Sequence, residues 1–184
     1  LYGNISSVDI TNPLKIVVFY RAFNVVIILD SQLNEIDSIQ LPYDVSFVSK
    51  GNANHLWLFT TNTQVIENYN FKTNTIASRS QPLKNTSVLN MKSTENYVYL
   101  HAKSGIKTFD YLGNYIKEDK TKDIEHFQYN NRVLYTLSKD TIYQKKETTL
   151  PILFDGISNI KNFFTLNNHF FIFDSSQLYV FSNE

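Results

Sequence analysis

An all-β fold of repeated antiparallel sheets is what this 184-residue sequence predicts, and three observations predict it. Apolar and aromatic runs of strand length recur along the whole chain, divided by turns of Asn, Ser, Asp, Lys and Gly. They come in pairs separated by about two to four turn-forming residues, the spacing of a β-hairpin. The pairs also repeat: the second member of each places Val26, Ile66, Ile106, Ile142 and Leu178 in register, at intervals of 40, 40, 36 and 36 residues. A four-stranded unit of about 40 residues is the period of a β-propeller blade.

The elements follow in order. The hairpins are Lys15–Tyr20 with Asn24–Asp30, Leu56–Thr60 with Gln64–Asn70, Tyr97–Ala102 with Ile106–Asp110, Val133–Ser138 with Thr141–Lys146, and Phe170–Asp174 with Gln177–Ser182. A strand precedes each: Ile5–Ile10, Val45–Ser49, Val88–Lys92, Ile124–Tyr129 and Ile160–Leu166. A fourth follows the first four hairpins: Glu35–Gln40, Thr75–Arg79, Tyr115–Glu118 and Thr148–Ile152. Lys117–Glu125 has room for one helical turn in a loop. Three residues beyond each anchor stand Leu29, Tyr69, Phe109, Lys145 and Phe181, and next to them Asp30, Asn70, Asp110, Lys146 and Ser182, mostly short polar residues suited to leaving a strand. Asp30 and Asp110 are expected to cap that transition through their side-chain oxygens.

One small twisted sheet cannot bury either of its two apolar faces alone, so blades must stack. Tyr69, Phe109, Phe127, Trp57, Tyr99, Tyr135 and Phe171 then read as filler between blades. The repeat units are approximately 5–42, 43–84, 85–122, 123–156 and 157–184 of a single propeller domain, about five blades in all. The fifth unit ends at Glu184 after its third strand, and Leu1–Gly3 is too short to supply the fourth. Material ahead of Leu1 is therefore expected to close a six-bladed ring, and a chain beginning at Leu1 is expected to be a processed product or a fragment.

Composition excludes several functions. The 17 Lys and Arg balance 17 Asp and Glu, which argues against recruitment to nucleic acid or an anionic membrane by net charge. No Cys is present, so there is no disulfide, thiol nucleophile or cysteine-ligated metal, and an oxidising compartment suits the chain. The longest apolar runs, such as Val25–Leu29, fall far short of the roughly 20 residues a membrane-spanning helix needs.

Signals for chemistry are weak. His55, His101, His126 and His169 show no metal-ligand spacing and read as surface or strand-end histidines. The carboxylates are scattered, although propellers can set two of them across a channel as a glycosidase requires. No Ser sits in a Gly-x-Ser-x-Gly elbow, no Gly-rich phosphate loop exists, and Phe154-Asp-Gly156 reads as an inter-blade turn. No catalytic, metal or cofactor-binding residue is assigned. Surface recognition remains: hairpin turns and inter-blade connections share one face, here carrying Arg21, Phe23, Tyr43, Lys84, Lys103, Lys122 and Phe154. Arg and aromatic residues are enriched at interface hot spots, so Arg21, Phe23 and Tyr43 are the expected partner-binding residues.

The segment Gly105-Ile-Lys-Thr-Phe-Asp-Tyr-Leu-Gly-Asn-Tyr-Ile-Lys-Glu118 resembles a unit of NHL-type and related six-bladed propellers, and Val26-Ile-Ile-Leu-Asp-Ser-Gln-Leu-Asn-Glu-Ile36 echoes it. The motifs of WD40, kelch, sialidase and quinoprotein blades are missing. Val8-Asp-Ile-Thr-Asn-Pro-Leu-Lys-Ile16, an aromatic strand and Leu29-Asp-Ser-Gln-Leu-Asn-Glu35 also resemble uncharacterised propeller proteins of the Bacteroidota cell envelope. That likeness is strongest over Val8–Ile36. It implies an exported protein, periplasmic or outer-membrane-associated, without known catalytic residues. The expected function is a non-enzymatic protein-interaction propeller, a subunit or accessory of an outer-membrane assembly or secretion complex. It would bind no nucleic acid, span no membrane and need no cofactor. The alternative is a periplasmic propeller that binds or hydrolyses a sugar or small metabolite at its channel mouth.

Overall fold

A computed structural model describes residues 2–12, 14–121, 123–130, 133–146, 148–152, 154, 156–166 and 169–182. They form five antiparallel blades of a β-propeller, each a meander in which sequential strands pair. Blade 1 consists of β1 (Ser7–Asp9), β2 (Ile16–Tyr20), β3 (Val25–Leu29) and β4 (Glu35–Gln40); blade 2 of β5 (Phe47–Lys50), β6 (His55–Thr60), β7 (Val65–Asn70) and β8 (Thr75–Arg79). Blade 3 holds β9 (Val88–Ser93), β10 (Tyr97–Ala102), β11 (Gly105–Asp110) and β12 (Tyr115–Asp119). Blade 4 holds β13 (His126–Asn130), β14 (Val133–Ser138), β15 (Thr141–Lys145) and β16 (Thr149–Ile152). Blade 5 has three strands among the described residues: β17 (Asn162–Leu166), β18 (His169–Phe173) and β19 (Leu178–Ser182). The only described helical segment is a 3-10 turn, Arg21–Phe23, so no helix is long and apolar enough to cross a membrane. β12 reaches Asp119 and so takes the first three residues of Lys117–Glu125, the stretch expected to have room for a helical turn, and none of its described residues is helical.

The chain divides into two compact units, Leu1–Lys120 and Thr121–Glu184. In the first, β6 is buried on both faces, so its run His55-Leu-Trp-Leu-Phe-Thr60 is apolar nearly throughout. Leu56 and Leu58 pack with Val17, Phe19, Val26 and Ile28 of blade 1, while Trp57 and Phe59 pack with Met91, Val98, Leu100 and Phe109 of blade 3. At about 1.5–3 kcal/mol per fully buried large apolar side chain, these two layers are the main force holding three blades together. In the second unit Leu137 and Ile142 of blade 4 pack with Phe163, Phe170 and Ile172 of blade 5.

Polar links join the innermost strands within each unit. Asp9 Oδ2 accepts hydrogen bonds from Ser49 Oγ at 2.9 Å and the Lys50 N–H at 3.0 Å, and Ser49 Oγ meets Ser93 Oγ at 2.7 Å, so β1, β5 and β9 are tied in series. In the second unit the Gln128 amide grips the Thr165 peptide, accepting from its N–H at 2.7 Å and donating to its carbonyl at 3.0 Å.

The expected carboxylate caps are present. Asp30 Oδ1 accepts the N–H groups of Gln32 and Asn34, and Asp110 Oδ1 those of Leu112 and Asn114; the Asn34 and Asn114 amides each donate to the other oxygen at 3.0 Å. At Asp110 desolvation pushes the other way, but together these bonds to the charged form hold both carboxyls below their usual range.

The register of the fifth unit needs a correction. Val26, Ile66, Ile106 and Ile142 are fully buried, but Leu178 is 64% exposed. Each buried anchor pairs with the residue one in from the end of the preceding strand, a position that Tyr179 holds opposite Ile172. The β18–β19 turn has four residues against two in blade 4, and a one-residue shift turns every strand side chain to the other face.

Candidate interaction face

In the first unit, hairpin turns and inter-blade connections are laced together at one end. Asn24 lies in the left-handed region, φ 56°, and its amide donates to the carbonyls of Leu41 at 3.2 Å and Tyr43 at 2.5 Å while accepting the Val45 N–H at 3.1 Å. Gln64, φ 57°, does the same one blade on: its carbonyl accepts the Leu83 N–H at 2.7 Å and its side chain the Thr86 N–H at 3.2 Å. The Lys103 N–H donates to the Ser87 carbonyl at 3.2 Å, adding the third hairpin.

Two of the three expected partner-binding residues come together here. Arg21 is exposed on the 3-10 turn, its N–H donating to Ser6 Oγ at 3.0 Å. Phe23 is 51% exposed and meets Tyr2 edge-on, ring centroids 6.4 Å apart; Tyr2 also lies 5.4 Å from the Tyr20 ring. Tyr43 is elsewhere. Half-buried against the blade 1–2 core, it donates its hydroxyl to Glu67 Oε2, and Arg79 pairs with Glu67 Oε1 at 3.0 Å. Desolvation and then the bond to Glu67 push the phenol pKa up. Its ring and hydroxyl thus serve contacts between blades.

Lys84 and Lys103 are exposed on this end. Phe154, in the second unit, packs its ring 4.9 Å from Phe181 and 5.4 Å from Phe170, as core. Lys122, and Asp155 of the expected inter-blade turn, lie outside the described residues. Tyr2 and Tyr20 were not expected at the site. The sequence signal for Tyr20 is alternation: Phe19 is buried, so its neighbour points to the other face. Tyr2 sits in an unpatterned segment that carries no such signal.

The remaining polar groups serve structure. Asp9 Oδ1 accepts from the Thr11 N–H and hydroxyl, at 3.0 and 2.7 Å, so both oxygens of this carboxylate are engaged within the sheet end. Lys92, also on an inner strand, is brought down to about 8 by desolvation of its ammonium, opposed by the charge of Asp9. His55 Nδ1 lies 3.0 Å from the Asn52 carbonyl, His126 stands edge-on to Phe163, and His101, one residue from the end of β10 as its strand-end reading expects, is buried. Among the described residues no three His, Asp or Glu side chains gather as metal ligands would. A shallow groove of about 290 Å³ on blade 4, lined by Gln144, Lys146, Thr148 and Leu150, brings no acid–base pair together.

No family model matches the sequence, and no curated protein matches it. Solved propeller structures do resemble the fold. Hsv2 of Kluyveromyces lactis matches with a TM-score of 0.70 at 16% identity over 98% of this chain and 61% of its own. Virginiamycin B lyase of Staphylococcus aureus gives 0.58 at 10% identity over 86% of this chain and 58% of its own. Hydrazine synthase of Kuenenia stuttgartiensis gives 0.59 at 6% identity over 90% and 54%. The chain thus spans between 54% and 61% of the length of these three, and the likeness is one of fold.

Proposed function

We propose that the chain is a non-enzymatic interaction propeller, exported to the periplasm or outer-membrane surface, where it serves as a subunit or accessory of a larger envelope complex for outer-membrane assembly or secretion. The observation that carries the interaction reading is the exposed cluster of Arg21, Phe23 and Tyr2 on a turn fastened to its neighbours by Asn24. A pre-formed aromatic and guanidinium surface loses little side-chain entropy on docking, which makes it a hot-spot candidate. The envelope setting draws its support from the resemblance over Val8–Ile36 and from the absence of Cys.

The test is crosslinking pull-down from bacterial envelope extracts with the full chain. Arg21→Ala and Phe23→Ala are each expected to weaken capture by about 1–2 kcal/mol, roughly tenfold, without lowering the melting temperature. Tyr43→Ala is expected to lower the melting temperature, since it empties a contact in the blade 1–2 core. Capture untouched by the first two variants would refute this face as the interface.

A further inference from the structure

Charge is sorted between the two ends of the first unit although the whole chain is neutral. Arg21, Lys84, Lys103 and Lys120 are exposed at the loop end, and among the described residues none of them forms an ion pair within 4 Å. Asp44 is the exposed carboxylate there, and the less exposed Glu118, which accepts from Ser104 and feels the charge of Lys120, is paired with Lys107 at 3.0 Å. At the opposite end the sign inverts. Asp30 and Glu95 lie in turns and Glu35 and Asp110 at strand ends, beside Lys15, Lys50 and Lys72, and Lys72 is paired with Asp37 at 2.5 Å. Like charges on adjoining loops sum to a field that reaches about a Debye length, roughly 8 Å at physiological salt, and selects partners of opposite sign.

The cations stand on separate loops, and the exposed aromatics at this end are Tyr2 and Phe23 of blade 1, whereas Tyr97, Tyr111 and Tyr115 of blade 3 lie at the opposite end. No cationic groove therefore stacks successive bases as single-stranded nucleic acid requires. One apolar seat beside Arg21, on an end whose neighbouring loops carry exposed lysines, fits a short acidic stretch of polypeptide. We propose that the loop end of blades 1–3 docks an acidic segment of a protein partner: Phe23 and Tyr2 seat one apolar or aromatic side chain, and Arg21, Lys84, Lys103 and Lys120 face its carboxylates. This rests on the interaction reading above and adds the chemistry of the partner.

The test uses the full chain and three probes: a random glutamate–tyrosine copolymer, a lysine–tyrosine copolymer and phosphatidylserine vesicles, with binding read by fluorescence anisotropy or co-sedimentation. The glutamate copolymer is expected to bind at low ionic strength, and to weaken at least tenfold when 1 M salt cuts the Debye length to about 3 Å. Combining Lys84→Glu with Lys103→Glu is expected to cost about tenfold at low salt. Glu35→Lys with Glu95→Lys, at the acidic end, is expected to leave binding unchanged. Equal binding of both copolymers, or an undiminished affinity of the Lys84/Lys103 reversal, would overturn the proposal. Preference for vesicles over the glutamate copolymer would overturn it in favour of a lipid surface. The two readings fail separately: capture from envelope extract that ignores Arg21→Ala and Phe23→Ala sinks the interface itself. Capture that needs those residues but survives the lysine reversal at low salt sinks the acidic partner alone.

Discussion

His101 occupies in β10 the buried position that Phe19, Phe59, Leu137 and Ile172 occupy in the other four blades, each paired one residue in from the hairpin. It is 5% exposed, and burial lowers its pKa because an imidazolium loses hydration there. In the folded chain the ring is thus neutral at pH values where the unfolded chain, titrating near 6.5, already binds a proton. The stability it contributes is present above pH 6.5 and is lost as pH falls through the lower, folded value. Asp30, Asp110, Glu118 and Asp174 are all held below their usual range, so their contributions are lost only further into acid. His101→Leu matches the other blades. It is expected to flatten the decline between pH 7.5 and 5.5, because the titrating group is removed. Urea midpoints at the two pH values measure this, and parallel declines in variant and parent would refute it.

At the scale of the element, turns and edges are fixed by single backbone positions. Gly105 opens β11 with φ 140°, and a Cβ there would lie 2.1 Å from the Asp119 carbonyl oxygen of β12. Gly156 also has positive φ, 79°, but meets nothing within 4 Å. Gly105→Ala is therefore expected to cost more than about 3 kcal/mol, from strain plus displacement of the outer strand, and Gly156→Ala about 1 kcal/mol from strain alone. Thermal melts of the two variants decide it; comparable losses would mean that the β11–β12 contact yields freely. Much of this layer was legible in the sequence. Strands buried on both faces are nearly continuous apolar runs, and Pro151 marks β16 as an outer edge because it has no N–H to donate. Other features left no mark. In β4, β8 and β12 the pairing skips Ile36, Ala77 and Ile116, three bulges that keep the repeat yet follow no residue type. Tyr43 and Phe23 look alike in sequence, as aromatics in loops. Only the fold shows that one ring turns inward to Glu67 and the other out to Tyr2.

At the scale of the whole molecule, stability is a sum over neighbouring blades, because each apolar layer described is shared by two of them. Ile66 belongs to the layer of blades 2 and 3, and Phe170 to that of blades 4 and 5. Truncating either leaves a cavity worth about 2–5 kcal/mol, a large share of the total for a small domain. A uniform, all-or-none molecule would spread that loss evenly, whereas stacked blades confine it to the layer that was cut. Ile66→Ala is therefore expected to speed amide exchange chiefly in β6, β7, β10 and β11, and Phe170→Ala chiefly in β14, β15, β17 and β18. Hydrogen-exchange mass spectrometry on the full chain separates the two patterns. If both variants accelerate every blade alike, the layers do not open independently. The loop end of blades 1–3 would then owe its rigidity to the whole chain, and not to the two layers directly beneath it.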